Sequence, residues 1–138
     1  MMSVFTPVEI SYLQGQRLGR IATAGSNGRP HVVPVGFRYN PELDTIDVGG
    51  HDFSKRKKFR DVQQNPWVAI VVDDLVSTHP WTVRGIEIRG KAEILATGGQ
   101  ALGPGFDADM FRIHPEHVNS WGLEARPAQP ARTAPQED

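Results

Sequence analysis

At 138 residues the chain has room for one domain with an ordinary core. Its 15 Lys and Arg against 16 Asp and Glu argue against a general nucleic-acid binder, and the lack of cysteine removes disulfides, thiol nucleophiles and Cys-ligated zinc. No apolar stretch approaches the roughly 20 residues that span a bilayer, and the N-terminus has no signal-peptide pattern, so a cytoplasmic protein with no membrane partner is expected.

Thr6-Pro7-Val8-Glu9 has the form of a capping box, with Thr6 as N-cap, Pro7 at the first helical position and Glu9 three residues after the cap. A short helix should follow and stop near Gly15. From Leu18 the pattern changes to strands, and residues 20–24 and 31–39 flank the hairpin turn Ser26-Asn27-Gly28. Within the second run Val33, Val35, Phe37 and Tyr39 share one face, and Val32, Pro34, Gly36 and Arg38 the other. Pro34 cannot donate to a ladder, so this strand is expected to be an edge or locally open there. Residues 40–44 turn into a third strand over 45–50, where Gly49-Gly50 lets the backbone come close to something bulky.

A helix is predicted over residues 54–64, stopped by Asn65-Pro66. The apolar run 67–73 reads as a central strand. Residues 84–95 alternate, with Ile86, Ile88, Gly90, Ala92 and Ile94 inward. A Gly-rich loop covers 98–105, and a last strand covers 111–113 and continues after Pro115 toward Trp121. From Ala125 onward Ala, Pro, Gln and charge dominate, which divides the chain into a folded domain over 1–124 and a disordered tail over 125–138. Six short strands with one helix between the third and fourth predict a mainly β protein built as a six-stranded antiparallel barrel.

The run Ser-Lys-Arg-Lys-Lys-Phe-Arg over 54–60 stands out electrostatically. A helix N-terminus exposes unpaired N–H groups and carries partial positive charge, so cations in its first turn repel it and a bound anion, a phosphate above all, relieves the conflict. On a helical wheel Phe59 and Val62 mark the buried face, Lys55 falls on that face, Arg56 and Lys58 flank it, and Lys57 points away. Ser54 fits as a cap whose hydroxyl also donates to an anion, and His51 as a further donor. A solvated basic face is the plain alternative. His114 and His117 are separated by Pro115 and lack a third partner, so no metal site is expected. His31 and His79 are read as structural. No nucleophile elbow, P-loop, His-Glu-x-x-His or dinucleotide fingerprint is present, so the chemistry of an enzyme built this way belongs to a cofactor.

The segments 28–35 (Gly-Arg-Pro-His-Val-Val-Pro-Val), 54–74, 84–93, Arg112-Ile113-His114-Pro115 and Ser120-Trp121-Gly122-Leu123 resemble, in order and spacing, the pyridoxamine 5'-phosphate oxidase-like split barrels, a superfamily of flavin and deazaflavin oxidoreductases. Asp73-Asp74 and His79-Pro80-Trp81 are most similar to an actinobacterial branch using coenzyme F420, near members of tetracycline-type biosynthesis. The resemblance implies a six-stranded split β-barrel, a homodimer with the cofactor at the subunit interface, and hydride transfer to an activated C=C or C=N bond of a small organic substrate. It implies a phosphate held around Arg56 and Lys58, with Lys58 and Arg60 at the family spacing before Asn-Pro, and a ring bordered by Val33, Pro34 and Val35. Arg112 and Trp121 match a pattern that approaches the ring from the dimer partner. FMN in place of F420, and a non-enzymatic module binding a cofactor or tetrapyrrole, are the alternatives, and no nucleic-acid partner is implied.

Overall fold

The computed structural model describes residues 2–123 and the backbone of Arg132–Thr133. The chain runs α1 (Pro7–Gln14), β1 (Leu18–Ala24), β2 (Pro30–Asn40), β3 (Thr45–Gly49), a 3-10 turn (Phe53–Lys55), α2 (Lys57–Gln64), β4 (Trp67–Thr78), β5 (Trp81–Leu95), a second 3-10 turn (Gly99–Leu102) and β6 (Met110–Trp121). All pairings are antiparallel, in the order β3-β2-β1-β4-β5-β6, and β6 pairs back onto β3 to close the ring. The expected mainly β, six-stranded antiparallel barrel is what forms. The tail expected over 125–138 lies outside the described residues except for Arg132–Thr133, which form a two-residue β7 paired with His117 and Val118 of β6.

Alternation puts one side of each strand into the barrel. Ile21, Ile46, Val48, Ile70, Val72, Ile86, Ile88, Ile113 and Val118 are fully buried there, each contributing on the order of 1.5–3 kcal/mol of burial. The capping box predicted for α1 is made in both directions, between Thr6 Oγ1 and the Glu9 amide and between the Thr6 amide and Glu9 Oε1. Glu9 itself is buried and its other carboxylate oxygen accepts from Ser120 Oγ, which ties α1 to β6.

Three features depart from expectation. The predicted helix over 54–64 is broken: Phe53–Lys55 is a 3-10 turn, Arg56 is extended, and α2 begins at Lys57. In one continuous helix residues 53 and 59 would point about 120° apart. The break lets Phe53 and Phe59 both reach Phe111, with ring centres 4.6 and 5.9 Å from it. Neither Ser54 nor any other side chain caps α2, and Lys55, placed on the buried face by the wheel, is exposed because the wheel does not extend across Arg56.

β4 and β5 are also longer than their apolar patterns. β1 pairs with β4 only as far as Val71, and β6 with β5 only as far as Gly85, so beyond Asp73 and Gly85 the two strands pair only with each other as a ribbon. Its base is fastened by Arg84, bidentate to Asp74 at 2.8 and 3.1 Å, and by Tyr12 Oη donating to the same carboxylate at 2.7 Å. Finally, β6 runs unbroken through Pro115. A register shift between Arg89 and Gly90 takes up the irregularity, and a Cβ at Gly90 would lie 2.0 Å from the His114 carbonyl oxygen, so only glycine fits there.

β3 pairs with β2 only over Gly36–Asn40, which leaves Pro30–Val35 without a neighbour on that side. Pro34 therefore lies where the sheet is locally open, as its missing N–H requires. This opening positions the site.

Candidate active site

A groove of about 480 Å³ lies between the open length of β2 and the start of α2. One wall is apolar, formed by Val33, Pro34, Val35, Gly36 and, from the loop after the second 3-10 turn, Phe106. The other end carries His51, Arg56, Lys57 and Lys58. Gly49 and Gly50 form the floor between them. A Cβ at Gly36 would meet the Phe106 ring at 3.1 Å, and one at Gly49 would meet it at 3.2 Å, so both glycines let that ring settle against the barrel end.

The cations differ in how they are satisfied. Lys57 Nζ binds both oxygens of Asp61 at 2.8 and 3.1 Å, and that buried carboxylate also accepts from Thr23 Oγ1 at 2.8 Å. Burial alone would push the Asp61 carboxyl up, but the hydrogen bonds from Lys57 and Thr23 outweigh it and hold its pKa below the usual range. Arg56 donates through Nε only to the His51 carbonyl, at 3.3 Å, and the Lys58 ammonium stands 5.2 Å from the centre of the Phe53 ring. Among the described residues neither Arg56 nor Lys58 has a carboxylate partner. Burial, and then the neighbouring Arg56 charge, push the Lys58 pKa down. Two close cations without counter-charge, one partly desolvated, at a helix start with no acidic residue in its first turn, fit a phosphate group and would be stabilised by it.

His51 is held by its Nδ1, 2.8 Å from the Gly105 carbonyl oxygen, with its ring edge-on to Phe106 at 5.2 Å. Nδ1 is therefore the donor to that carbonyl, leaving Nε2 to accept or, when protonated, to donate.

Of the residues singled out in the sequence, the fold brings Val33, Pro34, Val35, His51, Arg56 and Lys58 together in this groove. Ser54, Lys55 and Arg60 lie outside its lining; Arg60 donates to the Lys55 carbonyl at 3.0 Å, closing over the 3-10 turn. Arg112 lies on β6 and is engaged within its own chain, bidentate to buried Asp47 at 3.1 and 3.2 Å. Trp121 ends the same strand, paired across from Gly85. The groove also takes in His31, read from sequence as structural, Lys57, read as pointing away, and Phe106. Lys57 could have been found from the Lys57–Asp61 spacing of four residues. Phe106 had no local signal, because it reaches the groove through a loop that folds back over β3.

Comparison with known proteins agrees with this architecture. The profile described as pyridoxamine 5'-phosphate oxidase matches residues 9–134. A 5a,11a-dehydrotetracycline/5a,11a-dehydrooxytetracycline reductase of Streptomyces rimosus is 45% identical over 120 residues, covering 87% of this chain and 84% of the relative. Two solved structures share the fold at low identity. One is the FAD binding protein from Mycobacterium smegmatis, with a TM-score of 0.62 and 18% identity, covering 86% of this chain and 96% of the other. The second is a heme binding protein from the same organism, with a TM-score of 0.67 and 14% identity, covering 94% of this chain and 58% of the other. Such distant structures, with different guests, speak for the barrel and not for what it holds. The close relative makes the protein an oxidoreductase. By profile, by relative and by barrel, this chain belongs to the pyridoxamine 5'-phosphate oxidase family.

Proposed function

We propose that the protein is an F420-dependent reductase that adds hydride to an activated C=C bond of a polycyclic substrate resembling a dehydrotetracycline, with a C=N bond as the chemical alternative. The observation that carries this reading is the groove itself, an apolar wall ending in two cations without counter-charge, in a chain 45% identical to a dehydrotetracycline reductase. When bound, the reduced deazaflavin would supply the hydride. Arg56 and Lys58 would hold its phosphate, and Val33, Pro34, Val35 and Phe106 offer the flat apolar surface a ring needs. That wall excludes water from one side and restricts how ring and substrate can be presented. His51, anchored through Nδ1, presents Nε2 at the groove's polar end.

The reading includes a homodimer. Leu18, Val32 and Trp67 are 56, 64 and 50% exposed on the outside of the barrel. Cross-strand register joins them through the rows Ala69–Ala22–Val32 and Val71–Arg20–Pro34 into one largely apolar outer face. Pro34 belongs both to that face and to the groove, so a second copy seated there would lie at the groove's rim. Among the described residues no helix is long and apolar enough to cross a membrane, and a cytoplasmic location is part of the same proposal.

FMN offers the same cations a phosphate, so the decisive test sets the two side by side. Titration with oxidised F420 and with FMN, followed by cofactor fluorescence, should show saturable and tighter binding of F420. Reduced F420 should then be oxidised when a dehydrotetracycline is added. Isolation of the protein with FMN bound, and no interaction with F420, would overturn the reading.

A further inference from the structure

We propose that Asp61 is a specificity-determining residue, a buried counter-charge that limits the groove to two effective cations and so favours a phosphodiester over a phosphomonoester. The proposal rests on the cofactor reading above and adds a chemical class to it.

Three cationic side chains line the polar end of the groove, Arg56, Lys57 and Lys58. Only Lys57 has a carboxylate against it, and that carboxylate is placed with unusual care. The Asp61 side chain is 6% exposed, against 46% for Lys57. It takes a hydrogen bond from Thr23 on β1, and a Cβ at Gly25 would lie 2.9 Å from its Oδ1, so the β1–β2 turn can approach it only through a glycine. His31, on the same groove wall, adds a favourable charge interaction whenever it is protonated. The carboxylate therefore cannot turn away into water, and its charge stays behind the groove whatever the groove holds. Seen from the ligand, Lys57 and Asp61 form a neutral pair, and Arg56 and Lys58 supply the net attraction.

The consequence is selective. A phosphomonoester such as that of FMN carries close to two negative charges above pH 7, since its second pKa is about 6. An internal phosphodiester, such as that of F420, carries one at the same position. Coulombic energy scales with the product of charges, so a single fixed negative charge disfavours the dianion twice as much, in free energy, as the monoanion. Asp61 therefore weakens monoester binding by the square of the factor by which it weakens diester binding.

The test uses two probes with one ring, FMN and its 5'-phosphate methyl ester, which differ by one charge. Their dissociation constants are measured by flavin fluorescence at pH 7.5 and low salt with the full chain. Asp61→Asn, close in shape and still able to accept from Thr23, should tighten the methyl ester about 3-fold and FMN about 10-fold, the gain shrinking as salt screens it. Because that variant frees a lysine, Lys57→Met/Asp61→Asn serves as its partner and should return the FMN-to-ester ratio to the wild-type value. Equal changes for the two probes in Asp61→Asn, or a ratio that stays altered in the double variant, would overturn the assignment. Should Asp61→Asn lose its thermal transition, the double variant and Lys57→Met still decide it, the latter being expected to shift the ratio the opposite way. Wild-type protein that binds neither probe nor F420 would instead sink the cofactor reading.

Discussion

Two arginines, one on β6 and one just before α2, show how differently this chain uses positive charge. Arg112 lies on β6 with its guanidinium bidentate to Asp47, whose side chain is only 2% exposed and is further held by Asn40 and Thr45. Hydrogen bonding to that carboxylate raises the Arg112 pKa above its ordinary value. Arg56, at the mouth of the groove, has one long hydrogen bond to a carbonyl and a second cation beside it. A cation whose partner is built into the fold stabilises the fold. A cation left without one, beside another, costs the fold slightly, and on the reading proposed above a bound phosphate would offset that cost.

That contrast can be broken at its strongest point first. Arg112→Ala leaves Asp47 buried with only neutral donors, and should lower unfolding free energy by about 3 kcal/mol in urea denaturation. A loss below about 1 kcal/mol would mean that Asp47 relaxes into water and that the pair is not structural. Arg56→Ala/Lys58→Ala should do the reverse, leaving the urea midpoint unchanged or slightly raised while weakening F420 binding by roughly 100-fold, as expected for two charge-assisted hydrogen bonds. Unaltered affinity in that double variant would remove the phosphate from this end of the groove.

The smallest effect is the pH dependence. Lys58 has a lowered pKa, first through burial and then through Arg56, so the folded protein releases this proton more readily than the unfolded chain. Stability contributed by this group therefore rises as pH climbs from its folded value toward the ordinary lysine value. Anion affinity runs the opposite way, falling over the same alkaline window as the ammonium is lost. Arg56→Gln removes the neighbouring charge and should move the midpoint of that fall to higher pH. Isothermal titration in buffers of different ionisation enthalpy would detect the accompanying proton uptake on binding.

The barrel was legible because it is written in local pattern. Strand alternation, the Thr6-Pro7-Glu9 cap, the Ser26-Asn27-Gly28 turn and Pro34 at an open edge are all signals within a few residues of the feature they produce. The polar end of the groove was half legible. Charge crowding over residues 54–60 pointed to Arg56 and Lys58, yet the helix drawn through them was wrong by three residues. Its true start depends on Phe53 and Phe59 competing for contact with Phe111, more than 50 positions away in the chain, which no wheel centred on the helix can register. Lys57 lies within the true helix and away from its buried face; what a wheel cannot show is that it still lines the groove, against an Asp61 held in place from β1.

What the sequence by itself determined is the set of elements, the mainly antiparallel closure and the crowding of cations over residues 55–58, since these follow from hydrophobic period, turn chemistry and the sign of neighbouring charges. Only the tertiary structure decided which of four adjacent cations remain unneutralised. That outcome depends on where carboxylates come to rest in the fold: Asp61, one turn along the same helix and fastened by Thr23 of β1, takes Lys57, while buried Asp47 takes Arg112 and partly buried Asp74 takes Arg84. Charge is a local property of the sequence, but how much of it is cancelled depends on which carboxylates the fold holds against it.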